Sequence, residues 1–154
     1  MPASATAARL KTAAKVDSSD LQTLLGYNAR SVWLQVIELF NNRMAGYDLS
    51  PVDFSMLSLI HHNPGITSRQ LCNTLSLLPP NLAGKISLMQ KRDLLTRVQH
   101  PGDGRAIGLH LTTEGSQMMQ HAEATATQLE LDVSSKLSAA DAATLLRLLQ
   151  KVYL

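Results

Sequence analysis

Two adjacent prolines, Pro79 and Pro80, constrain the fold of this chain more than any other feature of its sequence. Each proline disfavours the helical conformation at the residue before it, so a break is forced between residues 76 and 79. The pattern before the break predicts a short helix that ends at about Leu75, and Pro80 starts another helix over 81–92. Two short helices joined by a tight turn are typical of a helix-turn-helix motif.

Apolar stripes and capping patterns predict helices on both sides of this motif. Apolar residues at three- and four-residue steps predict one long amphipathic helix over 17–46 and another that follows Thr112. Capping patterns predict three helix starts, at 50–53, 67–70 and 138–141. The first of these helices is expected to stop at the Asn-Pro-Gly sequence of 63–65.

The spacing of apolar residues changes from a helical to a strand-like period after Leu94, which predicts two strands. Residues 95–100 and 106–111 flank a Pro-Gly-Asp-Gly sequence at 101–104, which is typical of a β-hairpin that would form a wing. Aromatic residues are only 4% of the chain, and this scarcity favours helices over an all-β fold. The sequence therefore predicts a mainly α fold with a small β-hairpin, a winged helix-turn-helix flanked by N- and C-terminal helices.

Length and charge limit the classes of function. The 154 residues allow one domain, at about 100–200 residues per domain, which excludes a large multidomain enzyme. The net charge is only +2, but residues 66–112 hold six basic and two acidic side chains. Clustered lysines and arginines favour contact with nucleic-acid phosphates, although an ordinary solvated surface explains this charge equally well.

The termini and the single cysteine indicate a protein of the cytoplasm. Residues 1–18 lack the apolar run of a signal peptide and are expected to form a flexible tail. No apolar stretch reaches the roughly 20 residues of a membrane span. Cys72 has no second cysteine in the chain to pair with, so no disulfide is expected.

The predicted hairpin carries a distinctive sequence, since residues 103–112 are Asp-Gly-Arg-Ala-Ile-Gly-Leu-His-Leu-Thr. Together with the order of the predicted elements, this sequence resembles the wing signature of the MarR family of winged-helix transcription regulators. In that signature an Asp and an Arg two residues apart are followed by Leu-Thr. Gly115 and the Leu-Gly-Tyr-Asn-Ala-Arg sequence of 25–30 also match patterns seen in this family.

The resemblance covers about residues 20–154 and implies a single domain over 19–154. Asp93 departs from the family pattern, which usually has a glycine where the recognition helix ends. Aspartate tolerates the left-handed conformation better than most residues, so the turn is expected to survive. The resemblance implies a winged helix-turn-helix at 47–112 and dimerisation helices at 19–46 and 113–154.

The second helix of a helix-turn-helix presents its N-terminal residues to base edges in the major groove. Asn81 suits a bidentate contact to adenine, and Lys85 reaches guanine or phosphate. The alternative for Asn81 is that it only serves the helix start, and Gly84 either permits a close approach to DNA or merely weakens the helix. The residues of this helix that we expect near DNA are Pro79, Pro80, Asn81, Ala83, Gly84, Lys85 and Ser87.

Two further groups of residues are expected to contact the DNA backbone and the minor groove. Thr67 and Ser68 offer hydroxyls and amides to a phosphate at the start of the first short helix, and Arg69 adds charge. Arg105 lies in the wing, where its guanidinium can enter a narrow minor groove, and Asp103 is expected to orient it. The resemblance implies the same roles, and the alternative for Arg105 is a solvated turn arginine.

The resemblance also implies a homodimer and a small-molecule effector. Apolar stripes at 21–25 and 145–152 have no obvious partner in the winged domain, and members of the family intertwine such helices with a second copy. The alternative is that these stripes pack within the chain. A two-fold dimer would bind a pseudo-palindromic DNA duplex with half-sites about 10 base pairs apart. Family members often respond to a small aromatic carboxylate or phenolic acid. The residues suited to hold one are Tyr27, Arg30, Ser31, Trp33 and His61.

Several alternatives stand beside the leading prediction, which is a transcriptional repressor released from its operator by a ligand. The simpler interpretation of Tyr27 and Trp33 is that they are core residues. Cys72 suits a redox sensor, yet lone cysteines are usually buried hydrophobes, and peroxide-sensing relatives carry theirs in the first helix. A winged-helix module that binds only proteins would have no need of Arg105.

Catalytic and metal-binding motifs are not found in the sequence. The five histidines show no tight metal-ligand spacing, and the chain has neither a glycine-rich phosphate loop nor a nucleophile beside an identifiable base. The sequence therefore predicts no enzymatic activity, no cofactor and no metal site.

Overall fold

The structure is a computed structural model that describes residues 16–99 and 107–154. Most of the tail predicted at 1–18, and the turn predicted at 101–104, lie outside these residues. The fold is mainly helical with a small antiparallel sheet, as predicted. The elements are α1 (Ser19–Gln22), α2 (Leu25–Met44), a 3-10 helix (Ala45–Tyr47), α3 (Pro51–His62), β1 (Ile66–Thr67), α4 (Ser68–Leu75), α5 (Pro79–Lys91), β2 (Leu95–Gln99), β3 (Ile107–Leu111), α6 (Thr113–Val133) and α7 (Ala139–Tyr153).

The long helix predicted over 17–46 is interrupted, so this prediction was wrong in one respect. The chain leaves the helix after α1, where the Thr23 hydroxyl donates to the carbonyl oxygen of Asp20 at 2.6 Å. The backbone amides of Thr23 and Leu24 bond to carbonyls three residues back, which closes a tighter turn than an α-helix. Threonine competes with helical bonding in this way because its hydroxyl reaches nearby carbonyls.

The predicted capping patterns are confirmed at three helix starts. The side-chain oxygens of Ser50, Thr67 and Ser138 each accept a hydrogen bond from the backbone amide three residues later. Helix α5 begins at Pro79, two residues earlier than predicted. The backbone amides in the first turn of a helix have no intrahelical carbonyl partner, so the two prolines are tolerated there.

The sheet has three strands in the order β1-β3-β2. Strands β2 and β3 form the predicted hairpin ladder, with a register that runs from Leu95 opposite Leu111 to Gln99 opposite Ile107. Strand β1 was not predicted, because a two-residue strand is too short to show an alternating pattern. It pairs with β3 at Ile66 opposite Leu109 and leads directly into α4.

Contacts divide the chain into two compact units, Met1–Trp33 and Leu34–Leu154. The larger unit holds an apolar core in which α4 packs on α3, β3 and α5, and α5 packs on α4 and β2. Its fully buried side chains of largest volume are Met44, Met56, Leu57, Ile60, Leu71, Leu82, Ile86, Met89, Leu109, Met119 and Leu129. Within the described residues, no helix is both long and apolar enough to cross a membrane.

The junction between α5, the sheet and α6 depends on two backbone features. Asp93 adopts the left-handed conformation with φ of 56°, as expected for a residue at a glycine position. Gly115 lies against the backbone of Leu94 so closely that a Cβ atom at position 115 would overlap the Leu94 carbonyl oxygen. This contact fixes the start of α6 against the end of the helix-turn-helix.

Candidate nucleic-acid interface

One side of α5 is exposed and carries most of the residues expected near DNA. The opposite side, with Leu82, Ile86 and Met89, is buried in the core and fixes the orientation of the helix. Small or polar side chains dominate the first three turns of the exposed side, which suits close approach to a duplex. The exposed residues from the predicted set are Pro79, Pro80, Asn81, Ala83, Gly84 and Ser87.

Lys85 differs from the rest of the predicted set because it already has an acidic partner. Its Nζ atom donates to Asp53 Oδ1 at 2.8 Å and lies 3.4 Å from Ser50 Oγ, and its side chain is only 28% exposed. The ion pair joins α5 to the first turn of α3. The contact of Lys85 with guanine or phosphate stays a prediction, and in this structure the ammonium serves the packing of the two helices.

Asp53 is buried and titrates abnormally as a consequence of this pairing. Burial alone would raise the pKa of its carboxyl group. The hydrogen bonds from Lys85 and Ser50 outweigh that effect and hold the pKa below the ordinary range of an aspartate. The Asp53 carboxylate therefore takes part both in the capping box of α3 and in the ion pair that joins α5 to α3.

The predicted phosphate contacts at the start of α4 stay predictions, and the Thr67 hydroxyl there already has an internal partner. The Thr67 hydroxyl is used within the capping box, because it accepts from the Gln70 amide at 3.3 Å and donates to Gln70 Oε1 at 2.8 Å. Ser68 and Arg69 are exposed beside it. Polar side chains presented to solvent here include those of Ser68 and Arg69.

A cavity of about 500 Å³ lies between α4, α5 and β2. Arg69 lines it from α4 and Arg97 from β2, so two basic residues from different elements line one concave surface. Arg97 entered the sequence argument only through the basic charge of residues 66–112, and nothing in its local sequence marked it as a site residue. Cys72 is half-buried in the same wall. The complete lining is Ser68, Arg69, Cys72, Asn73, Leu77, Pro79, Leu82, Ala83, Ile86 and Arg97.

Arg92 belongs to the packing rather than to the exposed basic surface. Its guanidinium donates to the backbone oxygens of Asp48 and Tyr47, each at 2.7 Å. These bonds hold the end of α5 against the turn that follows the 3-10 helix. The charge count from the sequence therefore overestimated the number of cations available to phosphates.

The structure describes the predicted effector residues but not the two predicted wing residues. Asp103 and Arg105 lie outside the described residues, so their predicted roles stay predictions. Trp33 is 51% exposed in the single chain, which does not support a core role for it.

The effector residues of the smaller unit all lie on α2. Tyr27 is half-buried and its carbonyl oxygen accepts from the Ser31 hydroxyl at 2.8 Å, while Arg30 is exposed. His61 belongs to the larger unit, where its neighbour is Glu123.

None of the residues of helix α7 is buried in the part of the chain that the structure describes, and its apolar side chains are exposed there. Its exposed stripe is formed by Leu145, Leu146, Leu148, Leu149, Val152 and Tyr153. Contiguous apolar surface of this kind marks an interaction site on a protein.

Comparison with known proteins tests the family resemblance. The model of the MarR family matches residues 47–106. The structure of a transcriptional repressor, CouR, bound to a 23-mer DNA duplex is similar with a TM-score of 0.82 and 30% identity, covering 90% of this chain and 98% of that chain. This chain belongs to the MarR family. The resemblance inferred from the wing sequence is thereby confirmed, and the protein is a MarR-family transcriptional regulator rather than an enzyme.

Two other relatives of this MarR-family chain are informative. A putative transcriptional regulatory protein for the hcr operon of Thauera aromatica is 26% identical over 130 residues, which are 84% of this chain and 78% of that protein. The structure of the PcaV transcriptional regulator from Streptomyces coelicolor in complex with its natural ligand has a TM-score of 0.76 and 25% identity. It covers 89% of this chain and 96% of that chain.

Proposed function

We propose that this MarR-family regulator is a homodimeric repressor that reads a pseudo-palindromic operator with the exposed side of α5. The observation that carries the proposal is that side itself, on which small and polar residues are exposed while the opposite side is held by the core. Asn81 pairs with the edge of an adenine, and the two prolines contact thymine methyl groups. The DNA-bound state of the relative CouR supports the same use of the fold.

Backbone and minor-groove contacts complete the proposed interface. Ser68 and Arg69 bind a phosphate at the start of α4, and Arg97 binds a second one across the cavity. Arg105 enters the minor groove from the wing, and Asp103 orients it. Thr67 contributes through the capping box that holds α4 in place.

The support for the dimer is the exposed apolar stripe of α7, which a second copy would cover. Helices at 19–46 and 113–154 contact a second copy, while the winged helix-turn-helix at 47–112 remains on the DNA side. A two-fold dimer would present two α5 helices to successive major grooves about 34–36 Å apart. This spacing requires half-sites about one helical turn apart.

The DNA proposal is tested with sequences selected from random duplexes and then measured by fluorescence anisotropy at fixed salt. Asn81→Ala should weaken binding to the selected sequence by about 1–3 kcal/mol and relax the preference at one base pair. Arg105→Ala should weaken binding while leaving the helical circular-dichroism spectrum intact. Asn42→Ala and Lys136→Ala are the controls, because both side chains are exposed in segments assigned to the dimer contact rather than to DNA. Sedimentation should first show that both variants are still dimers. Unchanged affinity of both interface variants would refute the proposal.

The effector is proposed to be a small aromatic carboxylate whose charge pairs with Arg30 on α2. The support is an exposed guanidinium one turn from Tyr27, together with the ligand-bound state of the relative PcaV. Calorimetry with a panel of aromatic acids should give heat with the native chain and none with Arg30→Gln. Arg147→Gln is the control, since Arg147 is exposed on α7. A panel that gives no heat and no release from DNA would refute this part alone.

A further inference from the structure

Two adjacent histidines at the end of α3 meet a glutamate from the middle of α6. His62 Nε2 lies 3.0 Å from Glu123 Oε1, and His61 Nδ1 lies 3.6 Å from Glu123 Oε2. One donor atom from each of the three residues lies within 4.8 Å of the others. The spacing of histidines in the sequence gave no sign of this cluster, because the glutamate comes 61 residues after His62.

One atom of the cluster is buried without a partner. His61 Nδ1 is inaccessible to solvent and has no hydrogen-bond partner among the described residues. A buried polar atom in this condition costs about 1–3 kcal/mol. The Oε2 atom of Glu123 lies 3.6 Å from His61 Nδ1, which is too distant for a hydrogen bond. A cation held between the imidazole and the carboxylate would remove this cost.

From this geometry we infer that His61, His62 and Glu123 form a binding site for a divalent transition-metal ion of the Zn²⁺ class. Two imidazole nitrogens and one carboxylate oxygen form a ligand set that zinc accepts in proteins. Imidazole nitrogens disfavour Mg²⁺ and Ca²⁺, which prefer oxygen ligands. The inference concerns metal binding alone and does not rest on the proposed DNA-binding function.

The surroundings of the cluster support ligation. The Ser58 hydroxyl donates to Glu123 Oε1 at 2.8 Å and orients the carboxylate, as the outer partners of metal ligands commonly do. The side chain of His62 is 65% exposed, so it can approach the ion by rotation and leaves one position open to water. Three protein ligands with a fourth position for water differ from a closed structural zinc site, in which the protein supplies all four ligands.

An ion at this site would join α3 to α6 within the larger unit. Helix α3 already packs against both α6 and α4, and its first turn holds Lys85 of α5 through Asp53. The metal would therefore restrain α3, against which the helix-turn-helix packs. Binding of the ion to the folded state alone should raise the melting temperature.

The test uses metal-free chain without an affinity tag, titrated with ZnCl₂ by calorimetry and with Co²⁺ by visible absorption. The native chain should bind one ion, with Co²⁺ bands that indicate nitrogen and oxygen ligands. His62→Ala and Glu123→Gln should each weaken Zn²⁺ binding by at least about tenfold, since even outer partners of a metal contribute about 10–100-fold. Zn²⁺ should raise the melting temperature of the native chain more than that of either variant.

His121→Ala is the matched control, because His121 is an exposed histidine on α6 outside the cluster. It should leave affinity, stoichiometry and the Co²⁺ spectrum unchanged. Absence of heat and of Co²⁺ bands would overturn the inference. Binding that is equally strong in His62→Ala and Glu123→Gln would also overturn it, because it would locate the ion elsewhere on the chain. Both variants change side chains that are not fully buried, so both are expected to fold. Circular dichroism verifies this before the metal titrations.

Discussion

Gly84 gives a sharp test of the proposed interface because folding and DNA binding respond to it in opposite directions. It lies on the exposed side of α5, and a Cβ atom built there meets nothing within 4 Å. Gly84→Ala therefore gains the full difference in helix propensity, about 0.8–1 kcal/mol. For a chain of this length, that gain should raise the melting temperature by about 2–4 °C.

The same methyl group should reduce DNA affinity. If the exposed side of α5 enters the major groove, the added carbon occupies space between helix and base edges, and binding should weaken by about tenfold, or 1.4 kcal/mol. Thermal unfolding and fluorescence anisotropy on one preparation measure both effects. Gly26→Ala is the control for helix propensity, because that position is equally open but lies on α2. Since α2 is part of the proposed dimer contact, sedimentation must first show that this variant is still a dimer, and its DNA affinity should then be unchanged. A more stable Gly84→Ala variant with native affinity would refute the placement of α5 in the groove.

Three other predictions follow from packing and charge. Asp53→Asn should lower the free energy of unfolding by about 2 kcal/mol near pH 7 by removing the ion pair with Lys85. The folded-state pKa of Asp53 is depressed, so its contribution to the free energy of unfolding is present above the unfolded-state pKa and is lost as the pH falls through the folded-state pKa. In urea denaturation, the free energies of unfolding of the variant and the native chain should therefore converge as the pH falls below about 4. Gly115→Ala should destabilise by about 3 kcal/mol, since its Cβ would overlap the Leu94 carbonyl oxygen, and a native melting temperature would contradict that contact. Leu146→Asp should shift sedimentation at micromolar concentration from dimer to monomer without loss of helicity, and a persistent dimer would exclude α7 from the interface.

The features that the sequence could predict are those formed by neighbours along the chain. Ser50, Thr67 and Ser138 mark helix starts because a capping bond joins residues three apart. The break before Pro79 is equally local, since it depends on the ring of the following residue. These local rules were sufficient to place the helix-turn-helix and the hairpin, and the wing sequence was sufficient for the family.

The features that the sequence could not predict join distant residues. The partner of Lys85 is 32 residues away, so the sequence showed a lysine on the expected DNA side without its aspartate. Strand β1 exists only through its pairing with β3, and two residues carry no period of their own. The contact of His62 with Glu123 likewise depends on how α3 crosses α6, which no spacing rule for metal ligands describes.

The internal bonds of Lys85 and Arg92 change how DNA affinity should depend on salt. Each phosphate neutralised by a protein cation releases condensed counterions, and the logarithm of affinity falls with the logarithm of salt with a slope of about −0.9 per contact. If all six cations of residues 66–112 bound phosphates, a dimer would show a slope of about −11. With Lys85 and Arg92 engaged by Asp53 and by backbone oxygens, at most four cations per chain are left for phosphates. The slope should then be no steeper than about −7, which leaves the operator occupied over a wider range of ionic strength.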